Sequence, residues 1–80
     1  MWVLSAYEKR GDRLIAQQSL NGVDAGALRR LWNRPDDDPM YYSYPVTSTI
    51  AETLARHVSE PLRTDDFDYF VEYLSQERTN

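Results

Sequence analysis

An α+β fold, with a three-stranded antiparallel sheet carrying two helices on one face in the order β-β-α-α-β, is what this 80-residue chain predicts. Three observations lead there. Apolar and polar residues alternate twice near the N-terminus, across a glycine-bearing connection. The spacing then turns helical over two central segments, each followed by a proline, and the C-terminal run "YFVEY" returns to β-favouring residues.

Each element has its own reason. In "WVLSAYE" (2–8), Trp2, Leu4 and Ala6 share one face of a strand and Val3, Ser5 and Tyr7 the other. "RLIAQQSL" alternates again, with Leu14, Ala16 and Leu20 inward and Gln17 and Ser19 outward. The polar "KRGD" between them makes the pair a β-hairpin, and its "RGD" at 10–12 is turn chemistry rather than an adhesion motif.

In "NGVDAGALRRLWNRP", Asp24 is the expected N-cap, with Val23 placed to staple against Leu28. Leu28, Leu31 and Trp32 form the apolar stripe, Arg29 and Arg30 face solvent, and Pro35 ends the helix. The second helix falls in "TSTIAETLARHV". Thr49 and Glu52 have capping-box spacing, with Thr47 or Ser48 as alternative caps. Ile50, Ala51, Leu54, Ala55 and Val58 face inward, and Pro61 closes the helix. Residues 67–75 fit a helix or a strand by spacing; their β-favouring content selects a strand that completes the sheet, since a lone hairpin is marginal in water.

Eighty residues suffice for one domain, 1–80, with a thin stability margin. There is no cysteine, hence no disulfide and no thiolate metal cage. The short apolar start is no signal core or membrane span, so a soluble, cytoplasmic protein is expected. The net charge of −4 is unevenly spread: basic residues outnumber acids over 1–34, and acids dominate 35–80. That asymmetry suggests a charged partner, and a basic protein surface suits it better than nucleic acid or a membrane.

Catalytic signals are weak. His57 is the single histidine and flanks an apolar helix face, as a rim histidine does. No glycine-rich phosphate loop occurs, and no cofactor is expected. Asp36, Asp37 and Asp38 are consecutive and precede a proline, unlike the alternating ligands of a calcium loop. The chain is read as a non-enzyme with no metal site.

The informative stretch is "DDDPMYYSYPVT" (36–47), which Pro39 and Pro45 keep from being a continuous helix. A loop of this length is a place to look for function. Tyr44, before Pro45, is the first candidate to fold inward, yet adjacent extended residues point opposite ways, so at least one of Tyr41, Tyr42 and Tyr44 is expected at the surface. Exposed tyrosine is a stiff, amphipathic contact residue, and neighbouring aspartates steer a basic partner. Expected partner-binding residues are Asp36, Asp37, Asp38, Tyr41, Tyr42 and Tyr44, with Asp65, Asp66 and also Asp68 extending the acidic face.

The run from "LRRLWNRPDDDPMYYSYPVT" to "FDYFVEYL" resembles a family of small bacterial proteins with a "YEKRGDRLIA"-like hairpin start, a "DDPMY…YPVT" segment and a "YDYF" ending. Members are similar in size and charge to the immunity proteins of polymorphic toxin systems. The "YYSYP" run is also similar to the adjacent tyrosines with which DNase-colicin immunity proteins grip their toxins, although those are helical bundles and this chain has "PMYYSYP" where they have "DYYSYP". The resemblance implies an immunity protein that binds and neutralises a cognate toxin, with a basic or anion-binding cleft such as that of a nuclease or ADP-ribosyltransferase. A regulatory or structural subunit binding another basic protein is the alternative.

Overall fold

The computed structural model describes residues 1–74. Strands β1 (Trp2–Glu8) and β2 (Leu14–Ser19) are followed by helix α1 (Ala25–Leu31), strand β3 (Tyr44–Pro45), helix α2 (Ser48–Leu54) and strand β4 (Phe67–Tyr73). The fold is α+β, as expected, but the order is β-β-α-β-α-β and the antiparallel sheet has four strands, β2-β1-β4-β3. The added strand is a two-residue edge, Tyr44–Pro45, paired with Val71 and Phe70. So short a strand leaves no periodicity to read, and Pro45, lacking an N–H, fits only at a sheet margin.

The hairpin forms as expected. Glu8 N–H donates to the Arg13 carbonyl at 2.9 Å, and Gly11 (φ 85°) and Asp12 (φ 55°) turn the chain in the left-handed region, so the "RGD" is the turn itself. The β2 facing differs from the expectation. A bulge next to Ala6 leaves Ala16 opposite Ala6 but Leu14 opposite Tyr7, which puts Leu14 on the face away from the core. Leu14 and Ile15 are more than two-fifths exposed and Ala16 is exposed too; from the trio expected inward, Leu20 alone packs on the core.

Helix α1 begins as the sequence indicates, with the Asp24 carboxylate accepting from Ala27 N–H at 2.8 Å, a cap worth about 1 kcal/mol. It stops before Pro35, however, through a Schellman closure. Asn33, at φ 53°, holds the left-handed position, Arg34 N–H donates to Arg29 C=O at 2.8 Å and Asn33 N–H to Arg30 C=O at 3.3 Å. Asparagine tolerates that conformation better than other non-glycine residues do, and it stops the helix before proline can. Arg29 does not face solvent freely; it reaches the loop beyond.

Helix α2 is capped by Thr47, whose hydroxyl accepts from Ile50 N–H at 3.2 Å, rather than by the Thr49 box. After Leu54 the chain tightens into a 3-10 turn, Ala55–His57, which rotates Ala55 out to solvent; Val58 is already extended. His57 is half-buried, its Nδ1 2.8 Å from the Asn21 carbonyl. A carbonyl can only accept, so Nδ1 carries the proton.

The 67–75 segment is a strand through Tyr73, while Ser75 at its end lies outside the described residues. β4 runs beside β1 over its full length, from Trp2–Tyr73 to Glu8–Phe67. Paired residues share a face, so Leu4, Ala6, Tyr69 and Val71 look one way and Ser5, Tyr7, Phe70 and Glu72 the other. On the first face Leu28 of α1 and Leu54 of α2, both fully buried, close one core with Met40 and Tyr44. Both helices therefore serve the same face. Among the described residues, no helix is long and apolar enough to cross a membrane.

Candidate partner-binding site

Residues 35–45 leave α1 and run into the sheet, and their course is set by four side-chain anchors. The Asp38 carboxylate turns inward and takes the Arg34 guanidinium at 2.5 Å, Met40 N–H at 2.8 Å and, more distantly, the Tyr44 hydroxyl at 3.5 Å. Arg29 donates to the Asp38 carbonyl at 2.9 Å. The Trp2 indole N–H donates to the Met40 carbonyl and the Trp32 indole N–H to that of Pro45, each at 2.7 Å. Met40, fully buried, sits at φ 61°, a region a side-chain-bearing residue enters at a cost, and it is fastened on both sides of its peptide. The result is a stitch: the chain dives at Asp38–Met40 and resurfaces at Tyr41.

That stitch sorts the predicted residues. Asp38 and Tyr44 are buried and their polar groups are used within the chain, so neither is offered to a partner. Asp36 and Asp37 are exposed at the corners of a turn closed by Asp38 N–H to the Pro35 carbonyl at 3.0 Å. Tyr41 is 57% exposed and Tyr42 74%. Tyr41 stacks on Tyr73 with ring centres 4.4 Å apart, and Tyr73 meets Trp2 edge-on at 5.2 Å, so this exposed aromatic is braced by rings that belong to the sheet.

Asp65 and Asp66 are exposed in the turn before β4, Asp66 bound to Arg63 at 2.6 Å, and Asp68 is paired with Lys9 at 2.9 Å. They flank the beginning of β4, whereas Tyr73 is at its end, so about 20 Å of strand separates them from the tyrosines. The structure therefore does not bring the aspartates of 65–68 together with Tyr41 and Tyr42.

The carboxylate that does stand beside the exposed rings is Glu72, which no motif in the sequence singles out. The Tyr7 hydroxyl donates to it, 2.9 Å from both oxygens, and the Ser43 hydroxyl donates to Oε2 at 3.0 Å. Glu72 takes part in none of the ion pairs among the described residues. Two adjoining hollows share Glu72 and Ser43. One, of about 320 Å³, is bounded by Tyr41, Tyr42 and Tyr73; the other, of about 360 Å³, by Tyr7, Phe70 and Asp12. The available signal was strand phase: once 67–73 is a strand beside β1, Glu72 must share a face with Phe70 and Tyr7.

Electrostatics follow the same division. Asp38 is held below the ordinary aspartate value of 3.8, first by the Met40 N–H and then by Arg34. Burial, aided by the nearby Asp38 charge, raises the Tyr44 phenol above its ordinary 10.0, and Tyr7 is raised by burial and by its bond to Glu72. Among the described residues, no three His, Asp or Glu side chains gather as a metal site would require.

A family model described as a domain of unknown function, DUF7683, matches residues 1–72. The chain belongs to that family. The match takes in the hairpin, both helices, the Asp38–Met40 stitch, the exposed tyrosines and Glu72, so the whole candidate site except the last residues of its rim is family territory. No curated protein and no solved structure matches the chain.

Proposed function

We propose that this DUF7683 protein is a non-catalytic binding protein of the immunity type, which neutralises a cognate toxin inside the producing cell by covering a cleft built for anions, of the kind nucleases and ADP-ribosyltransferases have. The observation that carries this reading is the pair Tyr41 and Tyr42, largely exposed on a segment that four side-chain anchors otherwise hold rigid. Large apolar rings facing water cost a small domain solubility, and rigid aromatic side chains are what dominate binding energy at protein interfaces. Rigidity matters because a contact that is ordered before binding loses less entropy on binding. The acidic excess, a net charge of −4, favours approach to a basic surface. A standard interface buries about 800 Å² on each partner, a sizeable part of this molecule's 5755 Å² surface.

The test is co-expression with the product of the adjacent upstream gene. That product alone should arrest growth, and this chain should restore growth and co-purify with it. A harmless product, or a toxic one that this chain neither binds nor counters, overturns the reading.

A further inference from the structure

We propose that the partner's anchoring residue is an arginine, received in the hollow between Tyr42 and the Glu72 carboxylate, and that Glu72 rather than the aspartates of the 36–38 run is the charge that selects it. The inference rests on the protein-binding reading above and assigns the chemistry of its contact.

Glu72 presents its carboxylate at the junction of the two hollows. Each of its oxygens has two lone-pair directions. The single Tyr7 O–H proton is shared between the two oxygens and Ser43 donates to Oε2, so Oε1 is the less occupied of the pair. Among the described residues Oε1 therefore keeps acceptor capacity, on a group whose orientation is already fixed by two hydroxyls. Both donors are neutral, so the negative charge is uncompensated by any ion pair among the described residues. Three of the aspartates expected at the interface differ. Asp38, Asp66 and Asp68 already hold Arg34, Arg63 and Lys9.

The walls complete the assignment. Tyr41 has one ring face on Tyr73, whereas Tyr42, 74% exposed, is open to a planar cation. A guanidinium stacks on an aromatic face and at the same time presents in-plane N–H groups to a carboxylate; a lysine ammonium is a strongly hydrated point charge with no plane to lay on the ring. At about 320 Å³ the hollow has room for one such side chain but not for a folded element. Carboxylate, open ring and size agree on one occupant.

The probe is N-acetyl-arginine methylamide, titrated at low ionic strength into the full chain labelled with nitrogen-15. Saturable amide shifts are expected at Tyr41–Ser43 and Glu72–Leu74, weaker with the lysine analogue and absent with the glutamine analogue. Glu72→Gln keeps an acceptor for Tyr7 and should weaken arginine binding about tenfold, the usual worth of a charge-assisted bond. Tyr42→Ala, which removes a ring outside the core, should weaken it several-fold, and the amide spectra of both variants report that they remain folded.

Shifts centred on Asp36–Asp37 or Asp65–Asp66, no saturable binding, equal binding of the lysine analogue, or full affinity in folded Glu72→Gln would each overturn the proposal. Its failure is separable from failure of the toxin reading. Growth rescue that survives Glu72→Gln, with no arginine site detected, removes the site and leaves the reading. A clear arginine site in a chain that rescues nothing does the reverse.

Discussion

Replacing Tyr41 and Tyr42 together by alanine is expected to weaken the complex with the partner by about 100-fold or more while leaving the fold standing, since two central aromatic anchors at an interface commonly carry that much. The asymmetry is the informative part. Tyr42 has most of its surface in water, and Tyr41 touches the protein mainly through one face on Tyr73. Their removal costs little internal contact, so the melting temperature should fall only slightly. Tyr44→Ala offers the contrast. That ring is buried against Trp32 at 5.6 Å and belongs to the core, so its loss should destabilise the chain severely. Calorimetry of binding and of melting on both variants checks the pair of outcomes.

The second large effect belongs to Asp38. Asp38→Ala removes the acceptor for Arg34, for the Met40 N–H and for the Tyr44 hydroxyl at once, leaving the last two, which are buried, without partners. The melting temperature should drop markedly, and Met40 should lose the support that keeps it in the left-handed region. The sign with pH is fixed. Because the folded carboxyl titrates below its unfolded value, its contribution is present above the unfolded value near 3.8 and is lost as pH falls through the folded one. The stability gap between the native chain and Asp38→Asn is therefore widest near neutrality and closes under strongly acidic conditions. Denaturant melts across that range measure it, and a gap that widens on acidification would contradict the assignment.

Much of the fold was legible because it is written in local patterns. The hairpin follows from alternation and a glycine turn, the start of α1 from Asp24, and β4 from the β-favouring content of its run. The missing strand β3 had no pattern to show, being two residues long and ending on proline. The inverted facing of Leu14 came from a bulge, a one-residue slip that alternation within a single strand does not register. The early stop of α1 was local after all: Asn33 preceded the proline that drew attention.

The site was half legible. The loop's tyrosines were visible as a cluster, with Tyr44 the first candidate to turn inward and at least one ring expected outside. That Tyr42 also stays out is not given by alternation, which would put it on the side of Tyr44. Three consecutive aspartates looked like one feature but separate into two exposed turn residues and one buried anchor, since only Asp38 lies within reach of Arg34 and the Met40 peptide. Glu72 was hidden for the opposite reason. Its partners Tyr7 and Ser43 lie 65 and 29 residues away, and only the sheet brings them together.

Tyrosine nitration followed by peptide mapping, on the free chain and on the chain saturated with its co-purified partner, tests the central assignment most directly. Tyr42 and then Tyr41 should react quickly in the free chain, Tyr44 and Tyr69 slowly, and the partner should protect the first two. Rapid modification of Tyr44 in the folded chain, or unchanged reactivity of Tyr41 and Tyr42 in the complex, would contradict it.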